Sequence, residues 1–393
     1  MEIRGRNYEN GEPIAVTIDG ERIVDVRPAM PEGAASELPW IAPGLFDLQI
    51  NGNGGTWFGR VGITADEVLQ ALEPHFRFGV TRLCPTLITN SREALADGFA
   101  AVREACEREP WAAKLVAGCH LEGPYISGED GPRGAHPLEH VRDPDWSEFE
   151  ALQEASGGRI VLVTLAPERR GASEFIAKAV KSGVTIAIGH TAANSDEITA
   201  AVDAGARLST HLGNGAHGMI RRHPNYIWDQ LGEPRLTASL ITDGHHLPPS
   251  VMRSIIFAKT PRNIVITCDA SGLAGCPPGL YREGSIEMEI LEDGRIVLAG
   301  QRQLLAGSTL ETDGCITACL VHTDVTLPEA IDMAGRNPAR LLRREEIGLF
   351  RGSRADVILF TYSGKTDRLK VRTTIAAGVV RHGTVPASGF RGT

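Results

Sequence analysis

Apolar residues in this chain fall into two kinds of run. Near the start, PIAVTIDGERIVDVRP (13–28) is two short apolar runs joined at Asp19-Gly20, a strong signal for a β-hairpin. Toward the end, ADVILF and KVRTTIAAGVVRHG read as further strands with no helix between them. Strands at both ends of a helix-rich middle predict that the termini pair into one small β domain, residues 1–43 plus 350–393. The middle, 44–349, then forms a separate domain whose entry and exit lie close together.

In that middle, apolar runs bounded by turn signals predict eight strands: LFDLQI, VTRLCPTLI, KLVAGCHL, IVLVTL, VTIAIG, ARLST, LTASLIT and NIVITC. Between them lie helix starts. Thr64-x-x-Glu67 and Asn90-x-x-Glu93 read as capping boxes, and Ser195 before Asp196-Glu197 reads as a cap. Eight strands with few polar positions, alternating with helices, predict an α/β fold, a (β/α)₈ TIM barrel. A doubly wound open sheet is the alternative.

The formal charge of −9 without a block of like charge argues against nucleic acid or a membrane as partner. Seven cysteines without a C-x-x-C pair read as reduced thiols. With no apolar leader and no run of 18 apolar residues, the expected location is cytoplasmic.

In such a barrel, reactive groups sit at the C-terminal ends of strands. Here those ends carry Gln49 and Asn51, His120 to Pro124, Gly189-His190-Thr191, Thr210-His211, Asp243 to His246, and Cys268-Asp269. A single histidine at a strand end is ordinarily structural. Five of eight strands delivering a titratable or metal-capable side chain to one rim is not the ordinary case. Glu122, His190 and His211 make the carboxylate and two imidazoles of an open catalytic metal site. Asp269 is placed to carry a proton between the attacking water and a departing nitrogen, so the expected chemistry is metal-assisted hydrolysis of an amide or similar bond. The glycines of LQINGNGG are a weak phosphate-cradle signal and a good turn.

The motifs PGLFDLQINGNGG, GVTRLCPTLIT, HLEGPYIS, VTLAPE, GHTAANSDEI, THLGNG, ITDGHHL, CDASGLAGCPPGLY, LAGSTLETDG and RNPARLL follow in that order. They resemble the N-acetylglucosamine 6-phosphate deacetylases of the amidohydrolase superfamily, across nearly the whole chain. The resemblance implies the same barrel and terminal β-sandwich, commonly as a homodimer. It implies metal binding by Glu122, His190 and His211, acid/base catalysis by Asp269, and polarisation of the substrate carbonyl by His136, with Ala135 beside it. Gln-x-Asn at strand one occurs in the mononuclear branch. Amides are poor ligands beside imidazole and carboxylate, so one divalent metal per chain is expected, with Zn²⁺ the default and Fe²⁺, Co²⁺ or Mn²⁺ as alternatives.

For the substrate, a phosphorylated amino sugar, the resemblance places Arg222 and His246 on the phosphate, the Arg commonly from the neighbouring subunit. It places Ala306 and Gly307 against the sugar, and Asn214 and Gly215 in the pocket wall. The surroundings depart from the family: its aromatic after THL is Gly213, its NAM is Asn214-Gly215-Ala216, and its REPG loop is replaced by HGMIRRHPNYIWDQ. The expected reaction is hydrolysis of N-acetylglucosamine 6-phosphate to glucosamine 6-phosphate and acetate. The galactosamine isomer, an unphosphorylated N-acyl sugar, another N-acyl amine, and a noncatalytic scaffold are the other readings.

Overall fold

The computed structural model describes residues 1–30, 38–365 and 367–385; the parts of the expected terminal domain at 31–37, 366 and 386–393 lie outside the described residues. Eight parallel strands form the barrel, and all eight match predicted runs: Leu45–Ile50, Val80–Ile88, Cys119–Glu122, Ile160–Leu165, Thr185–Ile188, Leu208–Ser209, Thr237–Ile241 and Ile264–Thr267. Neighbours in this sheet follow chain order, and a bridge from Ile50 to Ala270 joins the last strand region to the first. These strands are buried on both faces, which is why they read as continuous apolar runs. The third is shorter than predicted. Lys114 and Leu115 belong to a helix opened by Pro110, and only Cys119–Glu122 extends.

Phe46, Leu48, Cys84, Leu162, Ala187, Leu208 and Val265 fill the barrel interior, together with Ala339, Leu342 and Ile347 from a late helix and the loop after it. Two helix caps fall one residue from their predicted place. Ser91, not Asn90, caps the helix Arg92–Arg108: its hydroxyl accepts from the Ala94 amide, while Asn90 Oδ1 accepts from the Ser91 amide at 2.8 Å. Asn194, not Ser195, caps Ser195–Ala204 and completes a capping box with Glu197. Thr64 and Glu67 form the box predicted for them.

The terminal strands pair into one seven-stranded sheet. Trp40–Pro43 runs parallel to Glu2–Asn7 on one side and antiparallel to Val357–Thr361 on the other, so the two chain ends meet at this strand. The N-terminal hairpin turns at Gly20, whose φ of 53° suits glycine. Ile3, Val16, Ile23, Ile41, Val357, Leu359 and Ile375, drawn from both ends, pack in one core.

A further feature was not predicted. After barrel strand eight the chain forms a four-stranded antiparallel sheet, Gly279–Glu283, Ile286–Ile290, Ile296–Leu298 and Gln301–Leu305, before returning at Ser308 beside Ala270. It contributes the apolar wall of the cavity described below. All seven cysteines are unpaired, and among the described residues no helix is long and apolar enough to cross a membrane.

Candidate active site

A cavity of about 370 Å³ opens at the C-terminal rim, lined by Asn51, Glu122, His190, His211 and Asp269 at its base. Glu122 ends strand three; His190, His211 and Asp269 stand just beyond the ends of strands five, six and eight. All three of the latter have positive φ, 51°, 30° and 50°. Non-glycine residues held in that region cost of order 1–2 kcal/mol each, and such strain collects at functional sites. Gly189 before His190 is required by crowding: a Cβ there would lie 2.7 Å from Thr164 Cγ2 and 2.8 Å from Thr210 Cβ.

Oε1 of Glu122 lies 3.2 Å from Nε2 of His190 and 3.0 Å from Nε2 of His211, and those two nitrogens are 3.0 Å apart. The Pro132 carbonyl accepts at 2.9 Å from Nδ1 of His190, which fixes the proton on that nitrogen and leaves a lone pair on Nε2. A lone pair, a carboxylate oxygen and a second imidazole nitrogen then converge on one point. Ligands about 2.1 Å from a tetrahedral ion sit about 3.4 Å from one another, so this triangle fits a divalent cation. Ligand atoms of Glu122, His136 and His190 also lie within 4.8 Å of one another, a looser set. The tighter triangle containing His211 is the better cation site.

The amides of strand one are explained here. Nε2 of Gln49 donates to Oε1 of Glu122 at 2.9 Å and to Oδ1 of Asp269 at 3.0 Å; Nδ2 of Asn51 donates to the same Asp269 oxygen at 2.8 Å. They bridge and orient two carboxylates. Burial, then the charge of Glu122, pushes the Asp269 carboxyl up to about 7. Burial acts to raise Glu122, but the imidazoles of His190 and His211 against its carboxylate hold it well below the usual carboxylate range.

His136 is buried with its ring 4.2 Å from that of His190, and Nδ1 is 2.8 Å from the Thr89 hydroxyl. Burial, then the neighbouring His190, lowers its pKa well below that of an ordinary imidazole, keeping it neutral. Ala135, Asn214, Gly215, His246, Ala306 and Gly307 also line the cavity. His246 is held by Asp243, whose carboxylate lies 2.7 Å from Nδ1. Arg222 is the exception: it is exposed and does not line the cavity of its own chain. Among the described residues no arginine or lysine lines the cavity, whose basic groups are histidines.

Several positioning residues were missed from sequence. Thr89 and the Pro132 carbonyl hold the two imidazoles, and Glu168 clamps the loop after His190 by accepting from the Thr191 hydroxyl at 2.6 Å and the Ala192 amide at 2.7 Å. Glu168 follows strand four in VTLAPE and was a readable signal; a backbone carbonyl carries none.

The sequence profile of the amidohydrolase family matches residues 40–381, and the chain belongs to that family of metal-dependent hydrolytic enzymes. Within it, the chain is 33% identical over 321 residues to the N-acetylgalactosamine-6-phosphate deacetylase of Escherichia coli O157:H7, covering 81% of this chain and 82% of that one. It is 32% identical over 352 residues to the N-acetylglucosamine-6-phosphate deacetylase of Homo sapiens, covering 86% and 82%. Among solved structures it is similar to a mutant N-acetyl-D-glucosamine-6-phosphate deacetylase from Mycobacterium smegmatis in complex with N-acetyl-D-glucosamine 6-phosphate. That pair has a TM-score of 0.84 and 32% identity over 94% of this chain and 95% of the other.

Proposed function

We propose that the chain hydrolyses the acetamide of N-acetylglucosamine 6-phosphate to glucosamine 6-phosphate and acetate. The observation that carries this reading is the convergence of Glu122, His190 and His211 beside Asp269 at the base of one cavity. Similarity to deacetylases of this substrate supports it. Glu122, His190 and His211 would hold one divalent cation per chain, with Zn²⁺ the best match to that donor set. When bound, the cation supplies polarisation of the amide carbonyl and acidification of the attacking water.

The remaining steps belong to the protein. Asp269 accepts the proton of the attacking water and returns it to the amide nitrogen as the carbon–nitrogen bond breaks. Gln49 and Asn51 hold one of its oxygens throughout. His136, with Nδ1 accepting from Thr89, carries its proton on Nε2 and donates to the carbonyl oxygen as charge develops there. His246, fixed by Asp243, faces the polar end of the substrate, and the cavity walls at Ala135, Asn214, Gly215, Ala306 and Gly307 frame the sugar. Arg222, exposed outside its own cavity, serves the phosphate in the site of a second copy, which makes the working form a homodimer. The enzyme acts in the cytoplasm.

A second reading, the galactosamine isomer, is favoured by the similarity to the Escherichia coli deacetylase. The test is acetate release from both 6-phosphates and from unphosphorylated N-acetylglucosamine. Preference for a 6-phosphate is expected, and the sugar cleaved faster decides between the isomers. Equal rates with and without phosphate would remove the roles given to Arg222 and His246.

A further inference from the structure

A second, smaller chamber of about 160 Å³ adjoins the active-site cavity. Side chains that line both spaces stand between them, and three of these, Trp57, Ile88 and Ile286, are apolar. Trp57 is fixed in place, since Gly272 passes so close that a Cβ there would lie 2.5 Å from its ring carbons. Its ring joins Met288 and Ala306 in an apolar cluster, and Ile88 and Ile286 pack against that cluster. Ile88 sits in register with Glu122 on the neighbouring strand, beside the reacting centre. Beyond this wall the chamber is polar, reaching Thr86, Thr89 and Asn90. Two buried atoms among the residues common to both spaces, Trp57 Nε1 and Asn51 Oδ1, have no protein partner.

The cavity is lined by His217, His245 and His246 as well as by the apolar side chains of Trp57, Ile88, Ile286 and Met288. Resting on the deacylase reading above, an N-acyl amino sugar lying with its charged end at the histidines turns its acyl carbon toward Ile88 and Trp57. We infer that Trp57, Ile88 and Ile286 form a partition that sets the length of the acyl group, admitting acetyl and excluding longer straight chains. Cutting the partition back opens the chamber to such chains.

The experiment compares kcat/KM, followed by amine release, for N-acetyl-, N-propionyl- and N-butyryl-glucosamine 6-phosphate in wild type, Ile88→Ala and Ile286→Ala. Since one methylene changes selectivity about 10- to 200-fold in an apolar pocket, wild type should fall at least about tenfold from acetyl to butyryl. Each variant should shift that ratio about tenfold toward butyryl. Ile286 lies on the covering sheet outside the barrel, so its variant decides the matter if Ile88→Ala does not fold. Wild type cleaving butyryl as well as acetyl, or an unchanged ratio in folded Ile286→Ala, would overturn the partition alone. Cleavage of none of the three by wild type would overturn the deacylase reading, and this inference with it.

Discussion

Asn51 donates from Nδ2 to Oδ1 of Asp269 at 2.8 Å, an amide just past the first barrel strand holding a carboxylate just past the eighth. Removing a hydrogen bond to a charged group costs about 1.5–3 kcal/mol, so Asn51→Leu should lower kcat/KM roughly 10- to 100-fold. A donor to the ionised form keeps a carboxyl pKa down, so its loss moves the acid limb of the rate profile to higher pH. Metal content should stay at the wild-type level. Loss of metal together with activity would show Asn51 to be a ligand.

Asp269→Asn keeps the size and shape of the side chain but cannot shuttle a proton. We expect turnover to fall by about 10² to 10⁴ with metal retained, measured by acetate release and elemental analysis on one preparation. Undiminished turnover would refute the acid/base role.

Gly189 leaves no room for a methyl group between Thr164 and Thr210, whose hydroxyls are 2.7 Å apart. Gly189→Ala should destabilise the fold by roughly 1–3 kcal/mol and displace His190 next to it. Denaturant midpoints report the first effect and metal affinity the second. A variant as stable as wild type would contradict the crowding.

Asp313, near the start of the helix Thr312–His322, is buried with Arg368 3.8 Å away, and burial pushes its carboxyl up to about 7. The unfolded carboxyl titrates near 3.9, so the folded form binds the extra proton between the two values. Stability is therefore full below about pH 4 and is lost as pH rises toward 7. Asp313→Asn should be more stable than wild type at pH 8, by up to a few kcal/mol, with the difference vanishing near pH 4. Parallel stability curves across that range would show that Asp313 carries no such strain.

The barrel was legible because a strand buried on both faces leaves an uninterrupted apolar run, and all eight runs became strands. The covering sheet was not. Its strands GLYRE and IEMEI alternate partly buried and exposed positions and carry charge, so they resemble loop. The caps at Ser91 and Asn194 were displaced by one because two adjacent residues could each cap, and the backbone conformation that chooses between them has no signature in composition. Glu122, His190, His211 and Asp269 stood out because strand ends are read in order. The contacts of Gln49 with Glu122 and of His190 with Pro132 join segments 73 and 58 residues apart, and no local pattern announces them.

The strand Trp40–Pro43 takes one neighbour from Glu2–Asn7, before it in the chain, and the other from Val357–Thr361, more than 300 residues after it. During synthesis at 5–20 residues per second, the second neighbour arrives on the order of tens of seconds after the first. Through that interval Trp40–Pro43 waits with one edge open while the barrel strands are made. The sheet can be completed only once Val357–Thr361 has been made, so a chain stopped short of that strand would keep all eight barrel strands and expose a sticky edge.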